Sequence, residues 1–170
     1  MRRSEIVALD REDLAFVPQG VEITLRHSKT NQEGEHELVA IPFTRDDTPC
    51  PVRALQTWIE HASPAGPLFR SIDRHGELRN RLADAHVSRI VKASVAAIAK
   101  AHNLEPTTFA SHSLRSGWIT TAVRHRVPEE RAMRHSRHKS IPVFRGYVHR
   151  ASVWIDHPSQ DMFPLSVGLP

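Results

Sequence analysis

Residues 21–42 read VEITLRHSKTNQEGEHELVAIP, and this stretch decides how the first part of the chain folds. Its first five residues alternate apolar and polar side chains, which predicts a half-buried strand. The polar, glycine-containing segment 27–36 follows as a hairpin loop, and residues 36–42 form the return strand, which a proline ends. The stretch therefore predicts an antiparallel β-hairpin near the N-terminus.

The segments on either side of this hairpin complete the predicted architecture. Before it, residues 2–9 predict a short helix, and residues 14–17 predict a third strand joined through a turn at Pro18 to Gly20. After it the patterns are helical, apart from an extended segment at 66–69 and a polar loop at 73–80. The predicted helices cover residues 50–62, 84–102, 111–126, a short segment after Val127, and 141–155 in two pieces. An apolar stripe on the helix at 84–102 consists of Val87, Ile90, Val91, Val95 and Ile98, and the residues expected to face inward on the helix at 111–126 are Leu114, Trp118, Ile119 and Val123. The fold class is α+β, a mostly helical domain with a small three-stranded antiparallel sheet near the N-terminus.

The length and composition limit the class of protein. The chain has 170 residues, 39% of them hydrophobic and 25% charged, which is the composition of one globular domain. No apolar run approaches the ~20 residues of a membrane span, and the polar start is not a signal peptide. Cys50 is the only cysteine, which excludes an internal disulfide and agrees with a cytoplasmic location. We expect residues 1–157 to form the domain and residues 158–170 to form a C-terminal tail.

The basic residues are concentrated in one part of the chain. Residues 86–150 contain 12 lysines and arginines against three acidic residues, a net charge of +9, whereas residues 1–85 carry −3. A block of this charge suits a polyanion such as nucleic acid, although a solvated basic face facing an acidic half explains it equally well. The candidate phosphate contacts are six basic residues in this block: Arg89, Lys92, Arg124, Arg126, Arg134 and Arg145.

Six residues with chemically active side chains follow one another on the predicted elements. Their order is Arg2, Lys29, His112, Arg115, His138 and Tyr147, and the last is the only tyrosine in the chain. His112 and Arg115 stand at i and i+3, on one face of a helix. Taken singly, each is explained by an ordinary surface or capping role. His135 and His138 have the spacing of metal ligands, but no nearby cysteine or carboxylate completes a site, so no metal is predicted.

The sequence around these residues resembles that of the catalytic domain of the tyrosine recombinase, or phage integrase, family. RRSEIVALDREDL (2–14) is similar to the first arginine box of that family, SHSLRSGWITTAV (111–123) to the second, and RHKSIPVFRGYVH (137–149) to the nucleophile box. The intervals agree as well: 27 residues from Arg2 to Lys29, 23 from Arg115 to His138, and nine from His138 to Tyr147. The resemblance covers roughly residues 1–150.

The resemblance implies a role for each of the six residues. Arg2 and Arg115 would bind the non-bridging oxygens of a DNA phosphate, and His138 would donate a hydrogen bond to it. Tyr147 would be the nucleophile that becomes attached to the 3′ phosphate. His112 would be its base, and Lys29 the acid that protonates the leaving 5′ oxygen. The reaction implied is strand cleavage and rejoining in double-stranded DNA by a homo-tetramer, without a metal ion or other cofactor.

The sequence departs from the family at two points. It begins at the first arginine box, so we expect it to be a truncated member without the N-terminal DNA-binding domain and the first core helix. Arg137 also stands directly before His138, where relatives often have glycine, the residue best suited to a positive φ.

Three other functions compete with recombination. The chain could be a catalytically inactive DNA-binding remnant of an integrase, or a topoisomerase IB-like nicking enzyme with little sequence preference. It could also be an interaction protein whose basic face binds an acidic partner.

Overall fold

The computed structural model describes residues 1–26, 36–46, 48–62 and 65–152, with side chains as far as residue 148. The chain divides into two compact units, one from Met1 to Ser111 and one that begins at His112. The elements in chain order are α1 (Arg3–Ala8), β1 (Leu14–Val17), β2 (Gly20–Leu25), β3 (Glu37–Pro42), α2 (Pro51–His61), β4 (Arg70–Ile72), β5 (Leu78–Arg81), α3 (Asp84–His102), α4 (Ser111–Arg124), α5 (Glu129–Ser136) and α6 (Ile141–Ser152). The predicted α+β class is confirmed. The predicted boundary after residue 157 lies outside the described residues.

The first unit is built on the predicted three-stranded sheet. Its order is β1-β2-β3, with both pairs antiparallel, so that Ile23 of β2 lies opposite Leu14 on one side and Val39 on the other. The alternating apolar side chains of β2 are buried, as period-2 burial of one sheet face requires. The core that they enter consists of Leu9, Leu14, Val21, Ile23, Leu25, Cys50, Val52 and Leu68.

Gly20 is required where β2 begins. Its φ is 156°, and a Cβ atom placed on it would lie 2.1 Å from the carbonyl oxygen of Ile41 on β3. That distance is far inside van der Waals contact, so the two strands approach this closely only because the side chain is absent.

Replacement of Gly20 by alanine is expected to lower the free energy of unfolding by about 3 kcal/mol, because backbone must shift to admit the methyl group. Thermal unfolding followed by circular dichroism measures the change. Gly117→Ala is the matched control, since nothing lies within 4 Å of a Cβ there and the residue is helical. That control should gain about 0.5–1 kcal/mol. Equal stability of the Gly20→Ala variant and the wild type would contradict the requirement for glycine at this position.

The segment predicted as a polar loop at 73–80 is a loop only over residues 73–77, and residues 78–80 belong to a strand of a second, two-stranded sheet. β4 and β5 pair antiparallel, with Ile72 opposite Leu78. The turn is held by Asp73, whose carboxylate accepts the backbone N–H groups of His75 at 2.8 Å and Glu77 at 3.0 Å, and the guanidinium of Arg79 at 2.8 and 2.5 Å. The Arg79 guanidinium, followed by the two backbone groups, lowers the pKa of Asp73.

The lowered pKa of Asp73 predicts a pH-dependent contribution to stability. A depressed carboxyl pKa stabilises the fold above the unfolded-state pKa and loses that effect as the pH falls through the folded value. Asp73→Asn should therefore unfold at a lower temperature than the wild type at pH 7, and the gap should close in acid. Asp46→Asn is the control, because that carboxylate is fully exposed. A gap that is constant from pH 7 to pH 2.5 would count against this role.

Helix α3 has the bounds that its pattern predicts, residues 84–102, and ends at Asn103 in the left-handed conformation with φ 49°. The predicted apolar stripe is only partly covered. Val91 is buried, whereas Ile90 and Ile98 are about half exposed. The apolar helical pattern therefore located the helix correctly but overestimated the width of its buried face.

The second unit packs α4, α5 and α6 around a small core. Phe144 of α6 and Ile119 of α4 are fully buried, and Ala122 and Ala132 complete the cluster. Leu114 and Trp118 were expected to face inward with Ile119, but both are exposed, Leu114 to 64%. Helix α6 runs continuously through Ile141–Ser152, so the predicted break does not fall within the part of it that is described.

Candidate active site

Tyr147 and His112 meet in the second unit. Tyr147 lies on α6 and His112 in the first turn of α4, and the phenol oxygen is 2.7 Å from Nε2 of the imidazole. This is the length of a strong hydrogen bond. Tyr147 is partly buried against the core cluster while His112 is exposed, so the pair stands at the edge of the apolar core with its polar atoms toward the surface.

His138 stands beside Tyr147, directly after α5. Its backbone N–H donates to the carbonyl of Met133 at 3.1 Å, which fixes the chain as it leaves the helix. The imidazole packs edge-on against the buried Phe144 ring, with centroids 5.6 Å apart, and lies the same distance from the ring of Tyr147. The nine-residue interval between His138 and Tyr147 thus brings the two side chains into one cluster.

Arg115 joins the cluster from α4, one turn beyond His112. One of its terminal nitrogens donates to the backbone carbonyl of Ser136 and lies 3.4 Å from Nδ1 of His138. Four of the six predicted residues, His112, Arg115, His138 and Tyr147, therefore lie together. A phenol, two imidazoles and a guanidinium in contact can deprotonate an oxygen nucleophile and neutralise a bound anion.

Ser136 belongs to the same cluster and was missed at the sequence level. It is only 6% exposed, and its hydroxyl oxygen lies 2.8 Å from Nδ1 of His138 and 2.7 Å from the carbonyl oxygen of Ala132. Serine near the end of a helix commonly bonds the carbonyl four residues earlier, so the sequence carries no signal that distinguishes this one.

Arg2 belongs to the first unit, where it is the N-cap residue of α1. Glu5, which is 5% exposed, accepts the backbone N–H of Arg2 at 2.6 Å and lies 3.4 Å from its guanidinium. The other end of α1 is held by Arg81, which donates to the carbonyls of Val7 and Leu9 at 2.9 and 3.1 Å and pairs with Asp10 at 2.5 Å. Both ends of the helix that carries Arg2 are therefore fixed by side chains. Lys29 lies outside the described residues.

The six predicted DNA-contact residues are spread over both units. Arg89 and Lys92 lie exposed on α3, where Arg89 is 3.3 Å from Nε2 of His86. Arg124 ends α4, and Arg126 follows it in the left-handed conformation. The two others form ion pairs, Arg134 with Glu130 at 3.4 Å and Arg145 with Glu129 at 3.0 Å.

The described part of the chain shows neither a metal-binding cluster nor a membrane-spanning helix. Among those residues, no group of three or more histidine, cysteine or acidic side chains is placed to hold a metal ion. His135, whose spacing from His138 resembles that of metal ligands, packs against Trp118 with the two rings tilted and their centroids 4.5 Å apart. Burial lowers the pKa of His135. None of the helices described has the length and apolar character needed to cross a membrane.

Comparison with known proteins shows the family of the chain. The model of the phage integrase family matches residues 1–152. The chain belongs to this family. It is also 40% identical over 164 residues to an integrase/recombinase xerD homolog of Selenomonas ruminantium, a match that covers 95% of this chain and 47% of that protein. The resemblance inferred from the three sequence boxes is therefore confirmed.

Two solved structures share the fold. The XerA recombinase superposes with a TM-score of 0.63 at 16% identity, covering 99% of this chain and 53% of that one. The Tn1549 transposon integrase in complex with transposon right end DNA superposes with a TM-score of 0.61 at 18% identity, covering 90% and 54%. The present chain thus spans about half the length of the relatives that it matches.

The junction between α5 and His138 carries backbone strain. Arg137 has φ 58° and ψ 42°, the left-handed conformation in which a Cβ costs about 1 kcal/mol or more. Arg137 therefore occupies a position whose backbone conformation favours glycine, the residue that relatives often have there.

Arg137→Gly is expected to raise the free energy of unfolding by about 1 kcal/mol, because glycine adopts this conformation without strain. Arg134→Gly is the matched control: the same substitution inside α5 should lower it by about 1 kcal/mol. Urea denaturation of both variants gives the two values. A loss of stability in both variants would show that the Arg137 side chain stabilises the fold by more than the backbone strain destabilises it.

Proposed function

We propose that the chain is the catalytic domain of a site-specific DNA recombinase, which cleaves and rejoins DNA strands through a 3′-phosphotyrosyl intermediate. The observation that carries the proposal is the 2.7 Å contact between the Tyr147 phenol and His112, with Arg115 and His138 in the same cluster. Membership of the phage integrase family supports it.

The contact suits a nucleophile with its base. A tyrosine hydroxyl has an ordinary pKa of about 10, so near neutral pH it needs a partner that accepts its proton as it attacks. Nε2 of His112 is at the right distance to take that proton. The phenolate oxygen then forms a bond to phosphorus, the bond from phosphorus to the 5′ oxygen breaks, and the 3′ phosphate stays attached to Tyr147.

The remaining residues would stabilise charge and protonate the leaving group. Arg115 supplies a planar, permanently charged fork for the non-bridging phosphate oxygens, and His138 donates to the same group. Arg2, as the second guanidinium, and Lys29, as the acid that gives its proton to the 5′ oxygen, enter the proposal through the family resemblance. Rejoining is the reverse: a 5′ hydroxyl attacks phosphorus and gives its proton to Lys29, while the bond from phosphorus to Tyr147 breaks and the phenol recovers its proton from His112.

The partner proposed is double-stranded DNA, bound by a homo-tetramer in the cytoplasm. The charge of +9 on residues 86–150 supports binding to a polyanion. The likeness in fold to an integrase solved with transposon DNA points the same way. Arg89, Lys92, Arg124, Arg126, Arg134 and Arg145 are proposed as phosphate contacts.

Covalent trapping tests the chemistry directly. The purified chain is mixed with nicked suicide duplexes, which lose a short strand after cleavage and so cannot be resealed. The pool combines DNA from around the gene with duplexes of randomised centre, so that the outcome does not depend on a known site. A protein–DNA band on a denaturing gel is expected from the wild type and is expected to be absent from Tyr147→Phe, which lacks the nucleophile.

The other outcomes separate the competing functions. An adduct that persists in Tyr147→Phe would overturn the assignment of the nucleophile. Absence of any adduct, with DNA retained on the protein at low salt, would overturn strand cleavage and favour a DNA-binding remnant. Uniform cleavage across the randomised pool would favour topoisomerase-like nicking, and failure to bind DNA would favour an acidic protein partner.

His112→Gln tests the base separately. Loss of a general base is expected to slow adduct formation by about 100-fold or more while the DNA dissociation constant stays within about twofold. Quenched time courses on the substrate selected from the pool give the rate. A rate equal to that of the wild type would remove His112 from the mechanism.

A further inference from the structure

The Ser136 hydroxyl occupies a position that the proposed reaction leaves unexplained. It is a buried polar group, and its oxygen lies within hydrogen-bond distance of both Nδ1 of His138, at 2.8 Å, and the carbonyl oxygen of Ala132, at 2.7 Å. The backbone carbonyl of the same residue accepts a hydrogen bond from Arg115. Ser136 therefore contacts, through its two oxygens, both residues assigned to the phosphate.

We infer that Ser136 is a positioning residue, which holds His138 by its Nδ1 so that Nε2 is the ring nitrogen that donates to the DNA phosphate. This inference rests on the proposed function, since it assigns His138 the role of phosphate donor. Ser136 itself contacts neither the phosphate nor Tyr147 in this scheme, and acts through the imidazole.

The donors around Nδ1 determine where the proton of the ring resides. A guanidinium only donates, so the Arg115 nitrogen 3.4 Å from Nδ1 favours a lone pair there. The Ser136 hydroxyl has one proton and two acceptors within reach, the carbonyl of Ala132 and Nδ1. In the proposed arrangement the neutral ring receives this proton at Nδ1, in place of the carbonyl. With Nδ1 as acceptor, the proton of the neutral ring is placed on Nε2, where it can be donated.

The second acceptor of the hydroxyl makes the arrangement tolerant of a change in charge. If the imidazole gains a proton at Nδ1, the Ser136 O–H can rotate toward the carbonyl of Ala132 and its oxygen can then accept from Nδ1–H. Both ring states keep a bonded Nδ1 and a protonated Nε2. An alanine at this position removes the group that supports both states.

A purely structural role for the hydroxyl is the competing explanation, and the chain provides a matched control for it. Ser116 on α4 bonds the carbonyls of residues three and four positions earlier, at 3.1 and 3.2 Å, which is the backbone pattern that Ser136 also makes. The Ser116 bonds go only to backbone, whereas Ser136 adds a histidine. Comparison of the two alanine variants isolates the effect of the ring contact.

The deciding experiment is a double-mutant cycle on the rate of adduct formation, with the trapping substrate. Ser136→Ala alone is expected to lower the rate about tenfold, the effect of losing one hydrogen bond to a charged or reacting group, with the DNA dissociation constant unchanged. In the His138→Gln background the same substitution is expected to change the rate by less than about twofold. Ser136→Thr, which keeps the hydroxyl, should recover most of the loss, and Ser116→Ala should leave the rate unchanged.

Equal losses in both backgrounds, or no loss in either, would overturn the inference, since a residue that acts through His138 has no effect when His138 is absent. Nitrogen-15 spectra of the histidine rings, with the His138 signals identified from the His138→Gln variant, provide a reading that does not need DNA. They should show Nδ1 unprotonated in the neutral wild type, with its resonance displaced in Ser136→Ala. If the wild type forms no adduct at all, the proposed function fails, whereas an unchanged Nδ1 resonance would disprove the Ser136 contact itself.

Discussion

The burial of Phe144 is the constraint on which the geometry of the second unit depends. Its ring has no exposed surface and lies among Ile119 of α4 and Ala132 of α5, so it fixes the rotation of α6 about its own axis. Tyr147 follows three residues later and therefore lies on nearly the same face of the helix. An apolar contact thus determines where the phenol oxygen points, and the hydrogen bond to His112 becomes possible only because α6 cannot turn away.

The polar side chains of the cluster are held beside the buried ring of Phe144. His138 contacts Phe144 with its ring edge, while its backbone is fixed to α5 through Met133. Ser136 and Arg115 both approach Nδ1 of that imidazole, and every fully buried side-chain nitrogen and oxygen among the described residues has a hydrogen-bond partner. Such a network is costly to disturb, because each buried polar group that loses its partner carries an unmet desolvation cost.

The sequence was most informative where a single periodicity governs the structure. Period-2 alternation located β2, and the limits of α3 followed from its helical pattern, because burial of one face selects for each spacing. Four of the six predicted site residues lie together, since the order of motifs along a fold places them even when each motif is weak alone. Lys29 remains a prediction, and so does the role of every one of the six.

The features that the sequence did not predict depend on contacts that produce no periodic pattern of residues. The β4–β5 hairpin has little apolar alternation, and its turn is held by the carboxylate of Asp73, a residue that is equally common in loops. The exposure of Leu114 and Ile90 could not be foreseen, because a helical stripe shows which face is apolar and says nothing of how far a neighbour covers it. Ser136 is a short polar side chain whose importance comes entirely from a histidine placed beside it by the end of a helix.

The ion pairs of Arg134 and Arg145 reduce the attraction that the positive charge of this region exerts on an approaching polyanion. Each guanidinium is already matched by a glutamate of α5, Glu130 and Glu129 respectively. A phosphate that takes either arginine has to exchange places with a carboxylate, and the glutamate then left behind repels it. Such an exchange liberates fewer condensed cations from the duplex than an unmatched arginine would, so the dependence of affinity on salt is shallower than the number of arginines suggests. In the proposed complex, the two glutamates therefore favour a duplex that reaches the cluster of His112, Arg115, His138 and Tyr147 over one that contacts only the basic helices.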